Sequence, residues 1–95
     1  MSDTKLIFRT HALRRMFERD VRIQDIRDII DNGEIIKNYD DDMPYPSKLI
    51  LGYAGGRPLH IVAAENEQDG EIIIITVYEP DADKWDAGYR RRKKE

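Results

Sequence analysis

Cysteine is absent from the 95 residues, which excludes disulfides, thiolate zinc sites and a cysteine nucleophile. Long apolar runs are also missing. The longest, Ile72–Val77, is interrupted by Thr76 and falls far short of a bilayer span. The first five residues, Met-Ser-Asp-Thr-Lys, hold no apolar signal core, so the expectation is a cytoplasmic protein. No repeat is present, and no linker is long enough to separate domains. What remains is 40% hydrophobic and 37% charged, too apolar for disorder and too polar for a membrane protein. The expectation is one domain over 1–95, with 81–95 a polar C-terminal tail anchored by Trp85 and Tyr89.

The formal net charge of -3 gives no global reason to expect nucleic acid. Its distribution is uneven. Residues 5–27 carry seven Lys and Arg against three acids, and residues 43–64 carry Lys48 and Arg57 with no acid. Residues 65–86 hold eight acids against Lys84, and the chain turns basic again at Arg90, Arg91, Arg92, Lys93 and Lys94. Such a chain can present a positive cleft while its overall charge stays negative.

Periodicity predicts a first strand over Lys5–Arg9 and then two helices. Thr10 is the expected N-cap of the first, whose stripe Leu13, Met16 and Phe17 falls at i, i+3, i+4 and runs to about Asp20. The second spans about Ile23–Asn32, closed by Gly33 in the left-handed position. Strands follow at Glu34–Tyr39, Lys48–Ala54, Arg57–Ala64 and Glu71–Glu79. Gly55-Gly56 marks a two-residue hairpin and Asn66–Gly70 a five-residue loop. The acidic loop Asp40–Asp42 is expected to be solvated, since consecutive acids in a flexible loop rarely cage a cation. No metal site and no cofactor is implied. The fold class is α+β: a strand, two helices, then an antiparallel sheet of about four strands.

A turn at Gly55-Gly56 pairs Leu51 with His60 and Tyr53 with Pro58. A loop over Asn66–Gly70 pairs His60 with Thr76 and Pro58 with Tyr78, which places Tyr53, His60, Thr76 and Tyr78 on one face. His11, Arg15 and Arg19 lie at i, i+4, i+8 on the first helix, and converge with that face if the helix end meets it. Histidine moves protons near neutral pH, arginine matches phosphate oxygens, and tyrosine stacks on bases. The set suits RNA cleavage without a metal, or the mere binding of an anion.

The blocks Thr10-His11-Ala12-Leu13-Arg14-Arg15-Met16-Phe17-Glu18-Arg19, Gly56-Arg57-Pro58-Leu59-His60 and Thr76-Val77-Tyr78-Glu79-Pro80-Asp81 with Trp85 resemble the DUF4258 family, a domain of unknown function. The family is similar to RelE-type toxins in element order. The resemblance implies a RelE-like fold and a toxin of a toxin–antitoxin pair, an endoribonuclease cleaving mRNA by 2′-hydroxyl attack. On that reading His11, Arg15, Arg57, His60 and Tyr78 are catalytic, and Arg19 and Tyr53 bind RNA. Members often open the second helix with Ile-Ser, where this chain has Val21-Arg22, so the serine cap is missing. A non-catalytic RNA- or protein-binding module stands as the alternative, and a structural partner protein as a third class.

Two short helices cover only one face of such a sheet. The assumed register puts Leu49, Leu51, Val62, Ile72 and Ile74 on one face and Ile50, Leu59, Ile61, Ile73, Ile75 and Val77 on the other. The uncovered face is expected to be hidden partly by the tail, through Trp85 and Tyr89, and partly by a cognate antitoxin or a second copy of the chain.

Overall fold

Five strands and two helices build the computed structural model, which describes residues 4–93. In chain order they are β1 (Lys5–Phe8), α1 (Thr10–Glu18), α2 (Ile23–Asn32), β2 (Glu34–Tyr39), β3 (Ser47–Ala54), β4 (Arg57–Asn66) and β5 (Glu71–Tyr78). The strands form one sheet in the order β1-β5-β4-β3-β2. The α+β class and the antiparallel meander β2–β5 match the expectation, but the sheet is mixed. β1 joins the far edge parallel to β5, with Leu6 opposite Ile72 and Phe8 opposite Ile74. Parallel pairing needs a long crossover rather than a hairpin, and everything from α1 to β4 lies between these two strands. No helix among the described residues is long and apolar enough to cross a membrane.

α1 departs from its sequence signals at both ends. Arg9, not Thr10, is the N-cap, and no side chain caps the first turn. The helix stops at Glu18, and Asp20 takes a left-handed φ of 55° that turns the chain toward α2. The buried stripe is also shifted. Ala12 and Met16 enter the core, while Leu13 is 46% and Phe17 89% exposed. An i, i+3, i+4 pattern is shared by neighbouring stripes of one helix. Here the stripe led by the small Ala12 faces the sheet.

α2 has the expected bounds. The carboxylate of Asp25 accepts the backbone N–H of Arg22 at 2.9 Å, so an acid inside the first turn does part of the work of the missing serine. Gly33 is extended, with φ -73°, rather than left-handed. Its lack of a Cβ matters for closeness: a Cβ there would lie 2.5 Å from the Ile29 carbonyl oxygen and 2.8 Å from Ile50 Cγ2.

The β3–β4 hairpin has the predicted register, Leu51 opposite His60 and Tyr53 opposite Pro58. Gly55 and Gly56 both take positive φ, as a two-residue primed turn requires. The β4–β5 hairpin differs. Strand pairing continues to Asn66↔Glu71, and beyond a bulge at Ile75 His60 faces Tyr78 and Val62 faces Thr76. An extra residue in one strand inverts the in–out alternation. Ile72 and Ile74 therefore face the helices, not the open side, and join a core of Ile26, Leu59, Ile61 and Val77. Each of these four is fully buried, worth about 1.5–3 kcal/mol apiece.

Part of the opposite face is covered from within the chain, while Val62, Ile73 and Thr76 on it stay half-buried. A C-terminal hairpin, closed by the Trp85↔Arg92 bridge and a left-handed Tyr89, lies over the covered part. Leu49, Leu51 and His60 on this tail side are buried.

Candidate nucleic-acid interface

The sheet register carries two rows of side chains across the tail side. One runs Leu51, His60, Tyr78, and the next runs Lys37, Leu49, Val62, Thr76. Tyr39, opposite Ser47, ends β2 on the same side. The tail hairpin adds Trp85, Arg90 and Arg92. Together Lys37, Tyr39, Tyr78, Trp85, Arg90 and Arg92 line a cleft of about 460 Å³, floored by Ile36 and Leu49. Three aromatic rings and three cations meet there, and no carboxylate lines it.

The cations are held differently. Arg90 donates from Nε to both carboxylate oxygens of Glu34, at 2.8 and 3.0 Å. Lys37 Nζ sits 5.3 Å from the Tyr39 ring centre, and Arg92 Cζ 5.6 Å from that of Trp85. Neither Lys37 nor Arg92 pairs with a carboxylate among the described residues. Two cations over two rings are thus available to an anionic ligand.

Beneath the cleft lies His60, with no exposed surface. Its Nε2 is 2.8 Å from the carbonyl oxygen of Tyr89, which can only accept, so Nε2 carries the proton. Nδ1, 3.1 Å from the Tyr78 hydroxyl, then accepts the phenolic proton. Trp85 packs its ring perpendicular to the imidazole at 4.5 Å. Burial lowers the His60 pKa, opposed in part by the Tyr89 carbonyl. Burial raises that of Tyr78, reinforced by Tyr39 and countered by Arg92. Both shifts favour the neutral pair.

The seven residues singled out by sequence fall in separate places. His60 and Tyr78 are joined, as just described. Arg57 is turned away from them: its guanidinium donates to the carbonyl oxygens of Arg19, at 2.6 Å, and Asp20, at 3.1 Å. It thereby closes the end of α1, and the contribution of Arg19 there is its backbone. Arg15 is exposed and faces Glu18 at 3.4 Å. His11, exposed in the first turn of α1, has Nε2 2.9 Å from Thr76 Oγ1. Tyr53 is 56% exposed and lines a second cleft of about 390 Å³ with Asp28, Asn32, Glu34 and Arg90. The start of α1 does meet the tail side, where His11 reaches Thr76, a residue on the same face as His60 and Tyr78, but His11 and His60 have separate hydrogen-bond partners.

Sequence reasoning missed Lys37, Tyr39 and Arg90 as site residues and read Trp85 only as an anchor. One signal was available: Lys37 and Tyr39 share strand parity, so they present a cation and a ring on one face. The return of the basic tail to that strand has no local signature.

A family model described as a domain of unknown function (DUF4258) matches residues 8–79. Its span takes in Lys37, Tyr39, His60 and Tyr78 and stops short of Trp85, Arg90 and Arg92. No curated protein and no solved structure matches the chain.

Proposed function

This chain belongs to the DUF4258 family, and we propose that it is an RNA-binding protein whose site is the tail-side cleft. One observation carries the reading: three aromatic rings and three cations line one concavity, without a lining carboxylate, on a protein of net charge -3. Cations take phosphates and rings take bases, and two of the three cations, Lys37 and Arg92, have no carboxylate partner among the described residues.

The test is binding of a fluorescent RNA oligonucleotide across a salt series. Affinity is expected to fall steeply with salt through counterion release, by a slope of about 0.7 per phosphate neutralised on a single strand. Lys37→Ala and Arg92→Ala are each expected to reduce that slope, whereas Arg14→Ala on α1 is not. Binding insensitive to salt, or equal losses at all three positions, would remove the cleft as the site.

A second reading, endoribonuclease action of the RelE-like toxin type, is favoured by the Tyr78–His60 pair. Tyr78 lines the cleft and its hydroxyl already donates to His60 Nδ1. In this scheme the phenolic oxygen takes the proton of the 2′-hydroxyl while passing its own to Nδ1. The 2′-oxygen bonds to phosphorus, the P–O5′ bond breaks and a 2′,3′-cyclic phosphate forms. The departing 5′-oxygen takes a proton from water, and the hydroxide left is neutralised by the proton held on Nδ1. The neutral resting state preferred by both groups makes this the more demanding role. A toxin would also require an antitoxin or second copy as partner. Induced expression in bacteria, with growth and transcript ends followed, separates the readings. Arrested growth and cyclic-phosphate ends that vanish with Tyr78→Phe support cleavage, while intact transcripts leave binding alone.

A further inference from the structure

We infer that the cleft takes single-stranded RNA by stacking bases on Trp85 and Tyr39, displacing Arg92 and Lys37 from those ring faces onto the flanking phosphates. The inference rests on the RNA-binding reading and names the form of the ligand and the exchange that admits it.

Each ring is already paired with a cation that lacks a carboxylate partner among the described residues. A cation over an exposed ring is worth roughly two- to fivefold in an equilibrium. A base stacked on a ring is worth roughly five- to over a hundredfold by alanine substitution. The exchange therefore favours the base, and the displaced Lys37 and Arg92 gain phosphate oxygens instead of water. Trp85 is also held in advance. Its ring edge-packs with His60 at 4.5 Å, and its backbone N–H donates to the Asp81 carbonyl at 3.0 Å. A fixed ring loses little freedom on stacking. Stacking on a ring needs an unstacked base, which a single strand supplies and a duplex does not. The cleft of about 460 Å³ is in the range of pockets that take a small organic ligand. Every base offers a stacking face, so the cleft is expected to tolerate many sequences.

Trp85 is the single tryptophan of the chain, which makes its fluorescence a direct reporter. The whole protein is titrated with oligoadenylate, with a self-complementary RNA duplex and with inorganic polyphosphate, and binding is followed in parallel by anisotropy of a labelled oligoadenylate. The expected result is saturable quenching by oligoadenylate that tracks the anisotropy curve, with little quenching by duplex or polyphosphate. Tyr39→Leu, at the half-buried end of β2, is expected to weaken oligoadenylate at least fivefold while leaving the salt slope unchanged. Arg92→Gln is expected to lower the slope and keep the quenching. Oligoadenylate binding without quenching, with Tyr39→Leu silent, overturns stacking and leaves the RNA-binding reading intact. Equal binding and quenching by polyphosphate or duplex also overturns it, making the cleft a phosphate site. No binding in the anisotropy assay overturns both.

Discussion

At the scale of single residues, His60 shows how a reactive side chain becomes a structural one. It was legible as a strand histidine opposite Leu51, and its register followed from the glycine turn. Its burial was not, because the tail that covers it is remote in sequence. Both ring nitrogens are occupied, by Tyr78 and by the Tyr89 carbonyl. Its pKa is lowered by burial, so the folded protein binds the proton less well than the unfolded chain does. The resulting stability is fully present above the ordinary imidazole value of ~6.5 and is lost as the pH falls through the lower folded value. Asp25, held low chiefly by the Arg22 N–H, acts in a separate window below the ordinary carboxylate range. Urea unfolding of the native chain is therefore expected to shift to lower midpoints as the pH drops below ~6.5, and the shift should be absent from His60→Gln. A midpoint that is flat across that range in the native chain would place His60 in water, contrary to its burial.

Among the elements, the local signals that succeeded were those with a backbone cause. The Gly55-Gly56 turn fixed one hairpin, and α2 kept its bounds. The run Ile72–Ile75 failed because four identical residues carry no alternation, so nothing local marks the bulge that inverts the faces. Phe17 failed for a related reason: its spacing fits an apolar stripe, but the neighbouring stripe of Ala12 and Met16 is the one buried. Close approach also governs α2 on β3, where a Cβ on Gly52 would lie 2.5 Å from Ile29 Cγ1 and 2.6 Å from Cγ2. Gly52→Ala must push Ile29 or the helix away. It is expected to destabilise by about 1–3 kcal/mol, the cost of overpacking, read as a lower urea midpoint with an unchanged slope. Ile29→Ala removes both colliding carbons, Cγ1 and Cγ2, so made together with Gly52→Ala it should cost less than the sum of the two single changes. If Gly52→Ala alone is neutral, the helix does not rest on this strand as described.

On the scale of the whole molecule, an α+β sheet with one helical layer has a second face to hide. The expectation that Trp85 and Tyr89 help to cover it is met: the tail hairpin lies over buried Leu49, Leu51 and His60. It is held by the His60–Tyr89 hydrogen bond, the Trp85–His60 ring contact and the exposed Arg90–Glu34 pair. An exposed ion pair contributes about 0–1 kcal/mol, so the aromatic and buried contacts decide whether the tail stays down. A chain ending at Pro80 would lose all three contacts. Its imidazole would keep only Tyr78 as partner, and the apolar surface of Leu49 and Leu51 would face water. Soluble monomers rarely tolerate such a patch, so the shortened chain is expected to bind a hydrophobic dye strongly and to associate at micromolar concentration, while Arg90→Ala in the full chain should do neither. The comparison separates the two roles of the tail, since Arg90→Ala breaks the charged contact and leaves the rings in place. Sedimentation with dye fluorescence reads it directly. A shortened chain that stays monomeric and dark would mean that the sheet face is hidden by something other than the tail, and Trp85 and Arg92 would not line a cleft over Leu49.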